Sequence, residues 1–280
     1  MKISLETMMY QNILSVVSTK GGVGKTTLTA NLGAYLADQG YKVLLIDADV
    51  QPSLSSYFAI NDVAEFGLQQ LISNSTVTPE MVASKIEDNL DIVISDDPNG
   101  ELQNWVKNTP DGRVRLRGIL RQRFNNYNFI LIDTQGAVGP LQEATVIAAD
   151  KLISPVVPDK LSATEFLHNT TNMLNRLAES ASWLGVEIAP LYALLNRVEN
   201  TSVSKHYSEQ IQQMGFEKVC RVPVHLCQTT IPRATVWNDA VAQQMPAHRI
   251  EKTSSRKTGS ALEIIASLVE ETNILGDRHV

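Results

Sequence analysis

The stretch Ser18-Thr-Lys-Gly-Gly-Val-Gly-Lys-Thr-Thr27 constrains this chain more than any other. An apolar β-rich run, Ile13 to Ser18, leads into it. Behind it Leu28, Leu32, Tyr35 and Leu36 recur at helical spacing until Gly40, and Lys42 to Asp47 forms a second apolar run. Strand, glycine loop, helix and strand make a βαβ unit, which requires a parallel sheet and a right-handed crossover.

The same grammar continues. Strands are expected at Leu90–Ser95, Phe129–Asp133, Leu152–Val157 and Ile188–Leu195. Helices are expected at Val114–Phe124, Leu161–Leu184, Ser204–Met214 and Ala261–Leu275. The segment Asp96 to Gly112 is expected to be a long loop. No composition shift marks a boundary, so residues 1–280 are assigned to one α/β domain with a C-terminal helix at about 258–276. The fold class is a doubly wound, mostly parallel sheet flanked by helices.

Composition allows this. With 280 residues, 43% hydrophobic and 19% charged, the chain has apolar material for a large core. No apolar run reaches the ~18 residues of a membrane span, and the first dozen residues carry no export signal, so a cytoplasmic location is expected. Two cysteines, Cys220 and Cys227, do not make a disulfide framework, and with His225 they match no common zinc spacing.

The glycine loop has a phosphate-binding pattern with one departure. A general P-loop is Gly, four residues, then Gly-Lys-Ser/Thr. Here Thr19 stands where the leading Gly belongs, and a second lysine, Lys20, follows it. Gly21, Gly22 and Gly24 let the backbone around Val23 curl so that amides face an anion, and the helix beginning near Thr26 and Thr27 adds its positive end. Lys25 is placed to reach β- and γ-phosphates, and the Thr26 hydroxyl to ligate Mg²⁺. Asp47 and Asp49 close one strand and Asp133 closes another, where ligands of open α/β sheets sit. Asp133 fits the acid that holds Mg²⁺ from the end of an apolar strand.

Together "STKGGVGKTT", "VLLIDADVQPS" and "FILIDTQG", with the later "ALLNRV" and "TTIPRATVWNDAVAQQMPA", resemble the ParA/MinD family of deviant-Walker ATPases, and ParA-type partition ATPases in particular. The resemblance spans roughly residues 13 to 247. It implies a homodimer formed around two ATP molecules with Mg²⁺. Lys20 would then cross the interface to the partner's phosphates, a cation delivered in trans like an arginine finger. It further implies that Asp49 orients the attacking water, that Asp47 supports Mg²⁺, that Asn196 reads the adenine edge and that Arg197 packs beside the base. Partners implied are a ParB-type activator and double-stranded DNA bound without sequence preference, which would draw the ATP-bound protein to the nucleoid.

The net charge of −6 does not favour nucleic acid overall. A local basic stretch, Arg249, Lys252, Arg256 and Lys257 against Glu251, is the candidate DNA surface, with Arg233 of "IPR" upstream. Arg113, Arg115, Arg117, Arg121 and Arg123 alternate too closely for one helix face and are assigned to folding or partner contacts. Where many family members carry prolines after the Asp133 position, this chain has "TQGAVGP", and Gly136 and Gly139 suggest a mobile segment.

Rival functions are weighed by what they need. A MinD-like membrane cycle calls for a basic amphipathic terminal helix, and the terminal segment instead holds Glu263, Glu270 and Glu271. Redox chemistry like that of nitrogenase iron protein needs cysteines near the nucleotide, and none precedes Cys220. A metabolic ATP-dependent enzyme similar to dethiobiotin synthetase does not require Lys20. Positioning a protein assembly rather than DNA remains compatible with every motif.

Overall fold

In a computed structural model, residues 11–276 are described. The first ten residues, on which much of the export-signal expectation rests, and the last four lie outside the described residues.

The expected βαβ opening forms as β1 (Asn12–Val16), α1 (Lys25–Asp38) and β2 (Val43–Ala48). Then come α2 (Leu68–Ser73), β3 (Ala83–Glu87), β4 (Leu90–Val93), α3 (Glu101–Asn108), α4 (Gly112–Arg123) and β5 (Phe129–Thr134). The second half runs α5 (Pro140–Ala148), β6 (Lys151–Val156), α6 (Lys160–Glu165), α7 (Thr171–Ser182), β7 (Leu191–Val198) and α8 (Ser202–Gln212). It closes with β8 (Val224–Leu226), β9 (Ile231–Pro232), α9 (Val236–Ala242), α10 (Ala247–Ile250) and α11 (Ala261–Glu271).

The sheet order is β3-β4-β2-β5-β1-β6-β7-β8, with β9 paired to β7 beyond that path. Every pairing is parallel except β3 with β4. The central strands β1, β2 and β5 are buried along their whole length, which is why they are near-continuous apolar runs in the sequence. On one face Leu28, Leu32 and Leu36 of α1 pack with Ile264, Ile265 and Leu268 of α11. On the other, Leu102 and Val106 of α3, Leu116 and Leu120 of α4 and Leu141 of α5 meet Ile46 and Ile132. A third cluster joins α7 and β7 through Leu174, Leu177 and Leu195.

Three expectations need correction. The segment from Asp96 to Gly112 holds a helix, α3, because Asp97 accepts the Glu101 and Leu102 amides at 2.8 and 2.9 Å and its Leu102–Val106 stripe is buried. The helix expected across Leu161–Leu184 is interrupted by a π-helical turn at Phe166–Thr170. The terminal helix is shorter than 258–276, because Ser260 and Glu263 form a capping box at its start and Thr272 ends it. The alternating arginines of α4 do serve folding. Arg113 pairs with Glu143, Arg115 with Asp111, Arg121 with Asp150, while Arg117 and Arg123 donate to the Ile147 and Val77 carbonyls.

Candidate nucleotide site

Register brings the acids together. Asp47 of β2 lies opposite Asp133 of β5, and Asp133 opposite Val16 of β1, just before the glycine loop. Thr26, in the first turn of α1, donates its hydroxyl to Asp133 Oδ2 at 2.6 Å. Asp133 Oδ1 is buried with no partner among the described residues. Asp47 Oδ2 accepts from the Ser55 amide and hydroxyl at 2.8 and 2.7 Å, and its Oδ1 accepts the Asp49 amide at 3.3 Å. Asp49 is half-buried, and its carboxylate accepts the Gln51 amide at 3.1 Å.

Burial dominates the electrostatics. It raises Asp133 to about 7, against the Thr26 hydrogen bond and Lys25, and it raises Asp47 to about 6. Desolvation lowers Lys25, although Asp133 and Asp49 pull the other way. A buried cation, an orphan carboxylate oxygen and the Lys25, Thr26 and Thr27 amides of the first helical turn, which have no intrahelical acceptor, all converge here. This donor set suits a polyphosphate, and Thr26, Asp133 and Asp47 suit a hard divalent cation.

The loop is shaped for close approach. Gly22 and Gly24 have φ of 74° and 96°, in the left-handed region. A Cβ on Gly136 would stand 2.7 Å from Gly21 Cα, and one on Gly139 2.8 Å from Gln103 Oε1. Gly136, expected to mark mobility, leaves no room for a side chain against the Gly21 backbone, whereas the neighbour of Gly139 is the movable end of Gln103. Gln142 ties the two loops, donating to the Ser18 and Gln135 carbonyls at 3.1 and 3.3 Å.

Both departures from the general loop dock on the α6–α7 segment. Thr19 Oγ1 lies 3.1 Å from Thr170 Oγ1 in the π turn. Lys20 donates to Ser162 Oγ at 2.7 Å and lies 3.6 Å from Asp159, which caps α6. Asp159 and Ser162 went unnoticed in the sequence, although Asp159-x-x-Ser162 has the spacing of a helix N-cap.

Asn196 closes the far side. Its amide donates to the Val23 carbonyl at 2.7 Å, and its Oδ1 accepts the Arg197 amide at 2.9 Å. Arg197 is exposed with a φ of 56°. Both line a cavity of about 570 Å³ that opens from Gly24 and Thr27 toward β9 and α9.

The basic residues are dispersed. Arg249 donates to both Asp38 and Glu87, so it is a strut between α10, α1 and β3. Arg256 is held by Glu251, and exposed Arg233 by Glu199 at the cavity mouth. Lys252 and Lys257 are exposed, with no ion pair among the described residues. Cys220 and Cys227 are buried, and no metal-holding His/Cys/Asp/Glu cluster occurs among the described residues. Nor is any described helix long and apolar enough to cross a membrane.

Fold and site together define a P-loop nucleoside-triphosphatase. Residues 11–183 match the family described as AAA domain, and the chain belongs to that family, as an ATPase of the ParA/MinD type. It is 27% identical over 237 residues to the sporulation initiation inhibitor protein Soj of Bacillus subtilis, covering 84% of this chain and 89% of Soj. Its fold is similar to that of Cyanothece McdA in an ATP complex of a variant, with a TM-score of 0.76 at 20% identity, covering 97% of this chain and 98% of McdA. It is also similar to the septum site-determining protein MinD of Pyrococcus horikoshii, complexed with Mg-ADP, with a TM-score of 0.66 at 23% identity, covering 95% and 98%.

Proposed function

We propose that this chain is an ATP-dependent dimerising ATPase that binds double-stranded DNA without sequence preference. With a ParB-type activator it would position a plasmid, mobile element or chromosome in the cytoplasm, on the nucleoid when ATP-bound. The observation that carries the reading is Lys20, a second cation at the loop entrance that the cradle formed by Gly21–Thr27 does not itself use. The names of the plasmid-partitioning and septum site-determining proteins among the relatives support the partition or positioning role.

In this reading Lys25 and the first amides of α1 bind the β- and γ-phosphates. Thr26 and Asp133, with Asp47 behind them, would hold Mg²⁺, which neutralises phosphate charge. Ser55 fixes Asp47, and Asp49, whose Oδ1 accepts the Gln51 amide, would orient the attacking water through its other oxygen. Lys20 would leave Ser162 and reach the partner's phosphates, so one subunit completes the other's site. Lys252 and Lys257 would form the DNA surface, with Arg233 joining it on release from Glu199, and with Arg249 and Arg256 held in ion pairs beside it.

Mixing Lys20→Ala and Asp49→Ala proteins tests this. Each should hydrolyse poorly alone, and the mixture should recover activity, because one composite site per heterodimer escapes both lesions. Proven heterodimers without recovery would end the claim of action in trans. DNA retention with ATP but not ADP, falling steeply with salt, tests the second half.

A further inference from the structure

The cavity beside the glycine loop carries one aromatic among its lining residues, Trp237 of α9. Its indole nitrogen donates to the Pro232 carbonyl at 3.1 Å, so the ring's polar edge is already satisfied. Pro232 pairs with Val198 of β7, and the Arg233 amide donates to the Val198 carbonyl at 3.0 Å. The indole is therefore fixed to the same strand that carries Asn196. Leu28, Val203, Ile231 and Ile265 complete the apolar wall.

Polar groups share the lining, but many are already engaged: Asp159 accepts from the Ser162 amide and hydroxyl, Thr201 from the Ser204 amide, and Ser204 from the Glu199 amide. Asn196 spends one amide hydrogen on Val23 and its oxygen on Arg197. Arg233 and Glu199 neutralise each other at the mouth. A ligand entering from Gly24 and Thr27 meets the indole and its aliphatic neighbours, with the lining side chains of Arg197 and Asn238 not engaged among the described residues. That chemistry favours a large aromatic ring held by its face.

We propose that Trp237 is a specificity-determining residue that stacks on the base and makes this site prefer purine over pyrimidine nucleotides. The proposal rests on the nucleotide reading above. It adds that selection among bases is made by stacking area, with Asn196 chiefly holding the loop.

Calorimetric titration of the full chain with ADP, CDP and inorganic tripolyphosphate tests it. Wild-type protein should bind ADP more tightly than CDP. Trp237→Ala should lose roughly 10- to 100-fold in ADP affinity, the range of base–aromatic stacking. It should lose less for CDP, narrowing the ratio, and leave tripolyphosphate unchanged. Trp237→Phe should recover most of the ADP affinity. An unaltered ADP-to-CDP ratio in Trp237→Ala overturns the proposal. If Trp237→Ala also loses tripolyphosphate, the loop has been disturbed and fluorescence decides. ADP must then quench a component of wild-type emission that Trp237→Phe lacks, and absence of that component overturns the proposal. Wild-type protein that binds neither ADP nor tripolyphosphate would instead refute the nucleotide reading itself.

Discussion

At the carboxyl edge of the central strands, Lys25 is buried with no ion pair among the described residues, and among them Asp133 Oδ1 has no partner. At the corner of α1, β3 and α10 the charges are as dense, yet Arg249 is shared between Asp38 and Glu87, and His248 Nε2 donates to Asp38 at 2.7 Å. One region holds charge unsatisfied, at a cost in folding that a ligand would repay; the other has already paired it. Counting basic residues along the chain cannot separate the two cases. Only the partners can.

The contrast breaks first at Lys25. Lys25→Ala should lower ATP affinity by roughly 100-fold, the upper scale of one charge-assisted contact. Thermal stability should hold or rise, since an uncompensated buried cation is removed. Wild-type ATP affinity in that variant would mean the loop holds no phosphate.

Lys20 stands between the regions, charged but only lightly tethered. Asp159→Asn keeps a cap on α6 while removing the carboxylate 3.6 Å from Lys20. If that contact competes with reaching a partner subunit, ATP-dependent dimerisation should tighten by about 3- to 10-fold, the scale of a half-exposed ion pair with its hydrogen bond. Analytical ultracentrifugation reads this directly. Weaker dimerisation would place Asp159 inside the dimer contact instead.

The paired corner predicts the opposite pattern. Arg249→Ala strands two carboxylates and should cost about 1–3 kcal/mol of stability, discounted from fully buried pairs because the group is partly exposed. DNA affinity should stay as it was. Lys252→Ala with Lys257→Ala should shift stability within about 0.5 kcal/mol and flatten the salt dependence of DNA binding by up to about one unit per lost phosphate contact. Loss of DNA binding in Arg249→Ala alone would reverse this assignment.

Sequence was most legible where one physical demand acts alone. Buried parallel strands must be apolar throughout, so β1, β2 and β5 stood out with their terminal acids. The polar stretch that forms α3 was opaque, because its helix depends on Asp97 capping four residues downstream and on a buried stripe of only Leu102 and Val106. The antiparallel edge strand β3 is half polar and bulged, which masks its alternation. At the site, Lys20 and Asp133 were visible as motif residues. Ser162, Gln142 and Trp237 were not, since their roles arise from elements 100 residues or more from the loop in sequence. The same distance hid Asp38 and Glu87 from Arg249.

The smallest effect probes the paired corner through pH. His248 is buried, with Tyr35 edge-on to its ring, and Asp38, Arg249 and Glu87 are the charged groups around it. Burial pulls its pKa below the usual histidine value and outweighs the attraction of Asp38. A folded state that resists protonation binds fewer protons than the unfolded chain, so stability rises with pH. The contribution of His248 is therefore whole above the unfolded value near 6.5 and drains away as pH falls through the depressed folded value. Asp38 is shifted down too, so its own contribution survives until far more acid conditions and the windows stay apart. Melting temperature should drop between pH 7.5 and 5.5, with a slope from this one group of at most about 1.4 kcal/mol per pH unit. His248→Asn should be less stable overall but should lose that part of the slope. An equally steep slope in the variant would move the acid sensitivity elsewhere. Wild-type stability that rises toward pH 5.5 would show that Asp38 outweighs burial, and the corner would then hold a true imidazolium salt bridge.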